Sequence, residues 1–282
     1  MRQSSDLAAL RLTFITGHPT LARFVIDRGV DRVMVDLEVL GKDARQGHLN
    51  TVISRHTLAD VAAVRAALPA GTLLVRVNPL HAKSAAEIDM VVAAGADRVM
   101  LPMFRDGKEV RAFAGFVAGR VPIVLLAETA AALSSVTDWI ATPGVEEVHV
   151  GLNDLSLDLG LPFMFQPLAA GMLEDVAQMV AAAGKRFAIG GIARIDEGLL
   201  PARLILGEHV RLGSTGAILS RTFHRQAETI ADIEREMDFG HELALLRDAY
   251  RRHTQGDPVM LANNRQTVAA LVEQIAARSA PR

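Results

Sequence analysis

Short aliphatic runs recur along this chain at intervals filled by helix-like text, and that alternation restricts the fold more than any other feature. The runs are LTFIT (12–16), RVMVDL (32–37), TLLVRV (72–77), RVMLPM (98–103), VPIVLLA (121–127), VEEVHVGL (145–152), RFAIGG (186–191) and HVRLG (209–213). Runs this short and this continuously apolar read as strands buried on both faces, as in a parallel sheet. Helical periodicity lies between them at 19–28, 57–68, 83–94, 106–118, 130–141, 167–183 and 194–206. Strand alternating with helix implies βα units. An internal echo supports the repeat: GVDRVMVDLE (29–38) and GADRVMLPMF (95–104) share a frame, and PGVEEVHVGLND (143–154) follows the same plan.

Eight such units count out to an α/β fold of the (β/α)8 TIM-barrel type. An open doubly wound sheet is disfavoured, because no Gly-x-Gly-x-x-Gly follows an early strand. The text changes after the eighth run. Residues 10–222 are expected to form the barrel, and 223–282 a C-terminal helical extension of two or three helices with a turn at 255–258. The extension is expected to cover one end of the barrel or to pack on a neighbouring subunit.

Composition excludes several classes. With 30 Lys and Arg against 32 Asp and Glu, the chain lacks the basic excess of a nucleic-acid binder. Aromatics are only 4%, too few for base-stacking platforms. No apolar stretch reaches membrane-spanning length, and the first residues do not read as a secretory signal, so a cytoplasmic protein is expected. The absence of Cys removes a thiolate metal site and a Cys nucleophile, so any metal must be held by oxygen or nitrogen. There is no His-Glu-x-x-His and no Gly-x-Ser-x-Gly.

In a barrel, chemistry is built where strands end. Asp36 and Glu38 close the second run, Arg76 and Asn78 the third, Glu128 the fifth, and Asn153 and Asp154 the sixth. Glu128 and Asp154 end neighbouring strands about 4.8 Å apart. Carboxylates that close repel unless a proton or cation lies between them, and a hard divalent ion needs few protein ligands. The alternative for each is a helix cap or a salt bridge. Arg76 inside a barrel mouth reads either as a clamp on a carboxylate or developing enolate oxygen, or as an ion-pair partner of Asp36 or Glu38. His149 reads as a core residue or one reaching the barrel interior; His48, His56 and His81 read as loop residues. The Gly-Ser-Thr-Gly turn at 213–216 reads as an anion-binding turn or a plain strand-to-helix turn.

Taken together, VDLE (35–38), VRVNP (75–79), GADRVMLPM (95–103), LLAETAAAL (125–133) and VGLNDLSLDLG (150–160) resemble the HpcH/HpaI aldolase and citrate lyase β-subunit family over roughly residues 10–222. The resemblance implies a (β/α)8 barrel, assembled as a homo-oligomer (trimer or hexamer). It implies a divalent metal ion, Mg2+, Mn2+ or Co2+, held by Glu128 and Asp154, with Arg76 as the catalytic residue that stabilises an enolate. It implies reversible carbon–carbon cleavage of an adduct between a small oxo acid such as pyruvate and an aldehyde or keto acid. Asp36, Glu38, Leu152 and Asn153 would complete the substrate pocket. An acyl-CoA lyase or thioesterase acting on a CoA thioester, and a catalytically silent binding protein on the same scaffold, are the alternatives.

Two departures from the family pattern stand out. The His that follows the second strand in HpaI-type aldolases has no counterpart near Glu38, and the place of its supporting Asp is near Ala93. The opening LRLTFITGHPT also lacks the Arg-Ser-x-Leu-Phe-x-Pro segment of the citrate lyase side. A different base is implied, with Asp36, Glu38, Asp43, His48 or a metal-activated water as candidates.

Overall fold

The computed structural model describes residues 9–41, 56–225, 227 and 229–279. The strands are β1 (Arg11–Ile15), β2 (Arg32–Asp36), β3 (Leu73–Arg76), β4 (Arg98–Leu101), β5 (Ile123–Ala127), β6 (Val145–Val150), β7 (Arg186–Ile189), β8 (Gly191–Ile192) and β9 (Gly216–Leu219). All ladders are parallel, in the order β7-β6-β5-β4-β3-β2-β1-β9-β8. β7 and β8 are two pieces of one run, broken at Gly190, whose φ of 43° a side chain would resist. Thr215 N donates to Phe187 O, and Ile218 N to Gly190 O. The seventh run therefore bonds β6 on one side and β9 on the other, and the ring becomes a nearly closed barrel.

The helices between strands form where local chemistry starts them. Helix α1 (Pro19–Asp27) opens on a proline, and α2 (Leu58–Ala67) on a reciprocal capping box between Thr57 and Asp60. Helix α3 (Ser84–Ala93) follows β3, and α4 (Gly107–Val117) is capped by Asp106. The stretch 130–141 divides at Ser135 into α5 (Ala130–Ser134) and α6 (Val136–Trp139), and Ser135 Oγ donates to Ala131 O at 2.8 Å. Helix α7 (Leu152–Asp158) follows β6. The stretch 167–183 likewise divides into α8 (Gln166–Ala169) and α9 (Glu174–Ala182), with Gly171 at φ 76° between them.

One strand assignment needs correction. The run 209–213 is not the eighth strand; it is the end of α10 (Ala202–Arg211) and the turn after it. Ala202, Ile205, Leu206 and His209 are buried at the i, i+3, i+4, i+7 spacing of a helix stripe, and the alternation in HVRLG is the tail of that stripe. The final strand is β9, seven residues further on. The Gly-Ser-Thr-Gly turn consequently enters that strand rather than leaving it. It lies at the end of the barrel opposite the mouth, so it has no part in an anion site there.

After β9 come α11 (Arg221–His224), α12 (Ile230–Glu236), α13 (Phe239–Gln255) and α14 (Pro258–Ser279). The last two pack on α10 of the same chain. Asn264 Nδ2 donates to Leu204 O and Glu208 Oε1, both at 3.0 Å, and Tyr250 OH donates to Ser214 O at 3.1 Å. Among the described residues no helix is long and apolar enough to cross a membrane.

Strand periodicity sorts side chains into an outer and an inner core. Val33, Val35, Leu73, Val75, Leu125 and Val148 face the helices, within the large cluster. Met34, Leu74, Met100, Val124 and Leu126 form a separate small cluster with Ile15 and Ile218, the middle layer of the barrel interior. Below it Arg32 makes a two-pronged salt bridge to Glu147 at 2.9 and 3.2 Å, and His149 Nε2 lies 3.2 Å from Gly190 O. Two residues above the middle layer, on the same inward face, come Asp36, Arg76 and Glu128.

Three buried histidines give the fold an acid limit. Burial pushes His149 down to about 4, His209 to about 3 and His224 to about 4, with His209 further lowered by His149 and His224 by Arg221. The unfolded chain takes up these protons from pH ~6.5 downward, while the folded chain does not, so stability falls as pH drops through that window, by about 1.4 kcal/mol for each unit separating the two values. The unfolding midpoint is expected to decline steadily from pH 7 to 4. His149→Asn is expected to flatten the slope, and an equally steep slope in that variant would contradict the assignment.

Candidate functional site

The inward parity of the strands delivers three charged groups to one end of the barrel. β2 places Asp36 directly beside Arg76 of β3 in the ladder. Arg76 Nε and Nη2 donate to the two Asp36 oxygens, each at 2.8 Å, and Glu38 Oε2 stands 3.5 Å from Nε. Asp36 is 1% exposed, Glu38 2% and Glu128 3%. Burial disfavours the Arg76 charge, but Asp36, Glu38 and Glu128 outweigh it and hold the guanidinium above its usual range. Of the two readings of Arg76, the geometry shows the ion pair: Asp36 holds the guanidinium at the end of the barrel.

Glu128 continues the inward face of β5 beyond Val124 and Leu126. Its Oε1 accepts from Met103 N at 3.1 Å, and Met103 takes the left-handed φ of 54°, which turns its N–H toward the carboxylate. Its Oε2 lies against Gly151, where an added Cβ would come within 2.6 Å of that oxygen and 2.9 Å of Glu128 Cβ, so a side chain there would force Glu128 to shift. Burial raises the Glu128 carboxyl well above the ordinary range, the neighbouring Asp154 raises it further, and Arg76 and the Met103 N–H pull against them. Asp154 itself is half-buried in the first turn of α7, beside buried Leu152 and half-buried Asn153. The structure therefore gathers Asp36, Glu38, Arg76, Glu128 and Asp154 into one charged cluster, with Leu152 and Asn153 at its edge.

Among the described residues no group of three or more His, Cys, Asp or Glu could hold a metal ion. A pair of hard oxygen donors still suits Mg2+ or Mn2+, which fill the remaining positions with water or ligand oxygens. Burial and Asp154 oppose the Glu128 charge, and a cation between the two carboxylates would relieve that repulsion. Glu128 and Asp154 fit such an ion in donor type, charge and burial.

Two further residues stand at the rim: His56, a loop residue as expected from the sequence, and Arg221, for which the sequence raised no expectation. His56 Nδ1 accepts from Asp36 N at 3.1 Å, and its ring fills the space beside Gly17. Arg221 follows β9 and feels the charges of both Asp36 and Arg76. His81 is more than a loop residue: its Nε2 meets Glu87 Oε2 at 3.0 Å, and Lys83 N donates to its Nδ1 at 3.2 Å. Glu87 in turn accepts from Asn78 Nδ2 at 2.7 Å, and Asn78 Oδ1 accepts from Val39 N and Leu40 N at 2.9 Å. This chain of bonds anchors the segment after Glu38. Asp43 and His48 lie outside the described residues.

The HpcH/HpaI aldolase/citrate lyase family model matches residues 12–196. No curated protein matches the chain. Among solved structures, protein CitE from Mycobacterium tuberculosis in complex with magnesium and acetoacetate is 17% identical with a TM-score of 0.62, covering 94% of this chain and 100% of that one. An HpcH/HpaI aldolase from Desulfitobacterium hafniense DCB-2 is 17% identical with a TM-score of 0.60, covering 85% and 94%. The citrate synthase SbnG is 17% identical with a TM-score of 0.57, covering 85% and 94%. These likenesses show a shared fold. The family match spans well over half of the sequence, and the chain belongs to the HpcH/HpaI aldolase/citrate lyase family of carbon–carbon lyases.

Proposed function

We propose that this protein makes or breaks a carbon–carbon bond next to the carbonyl of a small 2-oxo acid, through an enolate. The observation that carries the reading is the buried Glu128 carboxyl, held by Met103 N–H and acted on by the charges of both Asp154 and Arg76. Glu128 and Asp154 would hold a divalent ion, Mg2+, Mn2+ or Co2+, which when bound supplies Lewis acidity to the oxo acid's oxygens. Complexes of M. tuberculosis CitE with magnesium and pyruvate, and with magnesium, acetoacetate and coenzyme A, support that choice of ion and ligand class.

In this reading Arg76 stabilises charge at the developing enolate oxygen. Asp36 occupies Nε and one N–H of Nη2, so the remaining N–H groups are aimed by a fixed pair and need not reorganise as charge develops. Asp36 is thereby a positioning residue rather than a base, since Arg76 takes both of its oxygens. Glu38 adds negative charge beside Arg76 Nε, on the same edge that Asp36 engages. Leu152 and Asn153 line the pocket at the start of α7, where Leu152 excludes water and Asn153 offers polar contacts.

Proton exchange at C3 of pyruvate in D2O, followed by NMR, tests the chemistry without knowledge of the second substrate. With added Mg2+ or Mn2+ the methyl signal is expected to be lost at an enzyme-dependent rate, and EDTA is expected to abolish that rate. Exchange that persists in EDTA, or no exchange with any divalent ion, overturns the reading. Exchange at acetyl-CoA in place of pyruvate would support the CoA-thioester alternative.

A further inference from the structure

The backbone that leaves β2 gives each of five successive N–H groups a partner. Asp36 N donates to His56 Nδ1 at 3.1 Å, Leu37 N to Arg76 O at 2.9 Å, and Glu38 N to Asp36 Oδ1 at 3.1 Å. Val39 N and Leu40 N both donate to Asn78 Oδ1, each at 2.9 Å. Val39 and Leu40 are 49% and 45% exposed, so burial contributes little to holding them. The Asn78 amide is what fixes this end of the segment.

An Asn amide can face either way, and only its oxygen can accept from those two N–H groups. Glu87, in the first turn of α3, decides the orientation. Its Oε1 accepts from Asn78 Nδ2 at 2.7 Å and from Asn78 N at 3.2 Å. His81 holds Glu87 in turn. Its Nδ1 accepts from Lys83 N at 3.2 Å, so Nε2 carries the proton and donates to Glu87 Oε2 at 3.0 Å. The Glu87 side chain is only 13% exposed, and hydrogen bonds shielded from water in this way reinforce one another and specify one arrangement.

The other end of this chain of bonds is the charged cluster. Glu38 N and Arg76 Nε share Asp36 Oδ1, at 3.1 and 2.8 Å, and Glu38 Oε2 stands 3.5 Å from the same Nε. A fixed segment at 37–40 therefore fixes Glu38 and Asp36 against one edge of the guanidinium. We infer that Asn78, oriented by Glu87 and His81, is a positioning residue for Arg76: it acts through Glu38 and Asp36 and touches no reacting atom. This rests on the lyase reading above, and it adds the group that aims the cation of that reading.

An exchange of partners tests the inference. Asn78→Ala removes the acceptor for Val39 and Leu40. Asn78→Asp keeps that acceptor but sets a carboxylate against Glu87. Combining Asn78→Asp with Glu87→Gln reverses donor and acceptor at that contact, leaves the total charge unchanged, and still offers His81 Nε2 an oxygen. Pyruvate exchange with Mg2+ is measured well below the melting temperature of each protein. Both single variants at Asn78 are expected to lower kcat by about 10- to 100-fold with KM little changed, the cost of a displacement on the order of 1 Å at a reacting centre. The double variant is expected to recover most of that loss. Wild-type kcat in folded Asn78→Ala overturns the inference, because a clamp that served stability alone would lower only the melting temperature. A double variant no faster than Asn78→Asp overturns it as well.

A second readout needs no turnover and keeps the two readings separable. The Arg76 Nε–H signal, identified in isotope-edited NMR spectra by its loss in Arg76→Lys, is expected to exchange slowly with water in the wild type. It is expected to exchange faster in Asn78→Ala and slowly again in the double variant. This pattern in a protein that shows no pyruvate exchange with any divalent ion upholds the role of Asn78 and removes the lyase reading. An Arg76 signal indifferent to Asn78→Ala, in a protein that does exchange pyruvate, upholds the lyase reading and overturns this one.

Discussion

Arg76→Ala is expected to damage both the reaction and the fold. On the reaction side, the variant removes the donor proposed to meet the enolate oxygen, and the loss of a single preorganised donor of this kind costs about 10²- to 10³-fold in kcat. On the stability side, Asp36 and Glu38 would be left buried at 1% and 2% exposure without their cation. Removing one partner of a buried ion pair costs about 3–5 kcal/mol. Chemical denaturation and pyruvate exchange, measured on the same preparation, read the two effects. Arg76→Lys separates them, because an ammonium keeps the charge but not the two-pronged geometry. It is expected to regain much of the stability and little of the rate. A variant that regains both would mean that Arg76 acts as a charge alone, and wild-type stability in Arg76→Ala would contradict the buried pair.

Glu128→Gln is expected to do the opposite to the fold. The amide keeps an acceptor for Met103 N–H and keeps the volume, but it removes the charge that burial and Asp154 both oppose. In metal-free protein at pH 7, the variant is expected to melt no lower than wild type. Its pyruvate exchange in Mg2+ is expected to fall by about 10³-fold or more, since the Lewis acid contributes several kcal/mol to the transition state. Loss of rate with an intact or stabilised fold marks a functional carboxylate, whereas a large drop in melting temperature would mark a structural one. Retained exchange would remove Glu128 from the site.

The barrel was legible because its strands obey a strong rule. β2 to β5 are built almost wholly of Val, Leu, Ile, Met and Ala buried on both faces, so each reads as an aliphatic run, and β6 keeps the pattern despite Glu146, Glu147 and His149. The last strand was misplaced for a physical reason. Its residues, Gly-Ala-Ile-Leu, are small at the start, while the end of α10 carries His209, Val210 and Leu212 in a spacing that mimics alternation. The competing helix stripe began further back, at Ala202.

That misplacement also hid Arg221. With β9 at its observed bounds, Ser220 and Arg221 are the residues that leave the strand, and the rule that made Glu128 and Arg76 visible applies to them as well. His56 was hidden differently. Its capping-box neighbour Thr57 announces a helix start, but the contact with Asp36 N spans twenty residues and depends on the space left by Gly17. The Asp36–Arg76 pair was readable as one of two alternatives, since strand ends say which side chains meet but not which atoms bond. The Met103 N–H on Glu128 left no trace in the sequence, because a backbone turned to a left-handed φ carries no residue signature when it is not glycine.

In the proposed function, Glu128 and Asp154 together would hold one divalent ion. Mn2+ titration followed by electron paramagnetic resonance tests it without substrate. The wild-type protein is expected to remove one Mn2+ per chain from the free-ion signal, with Mg2+ competing. Glu128→Gln and Asp154→Asn are each expected to weaken that binding by about 10²-fold or more, as the loss of one of two protein ligands demands. Equal Mn2+ binding by wild type and both variants, or none by the wild type, would contradict the account.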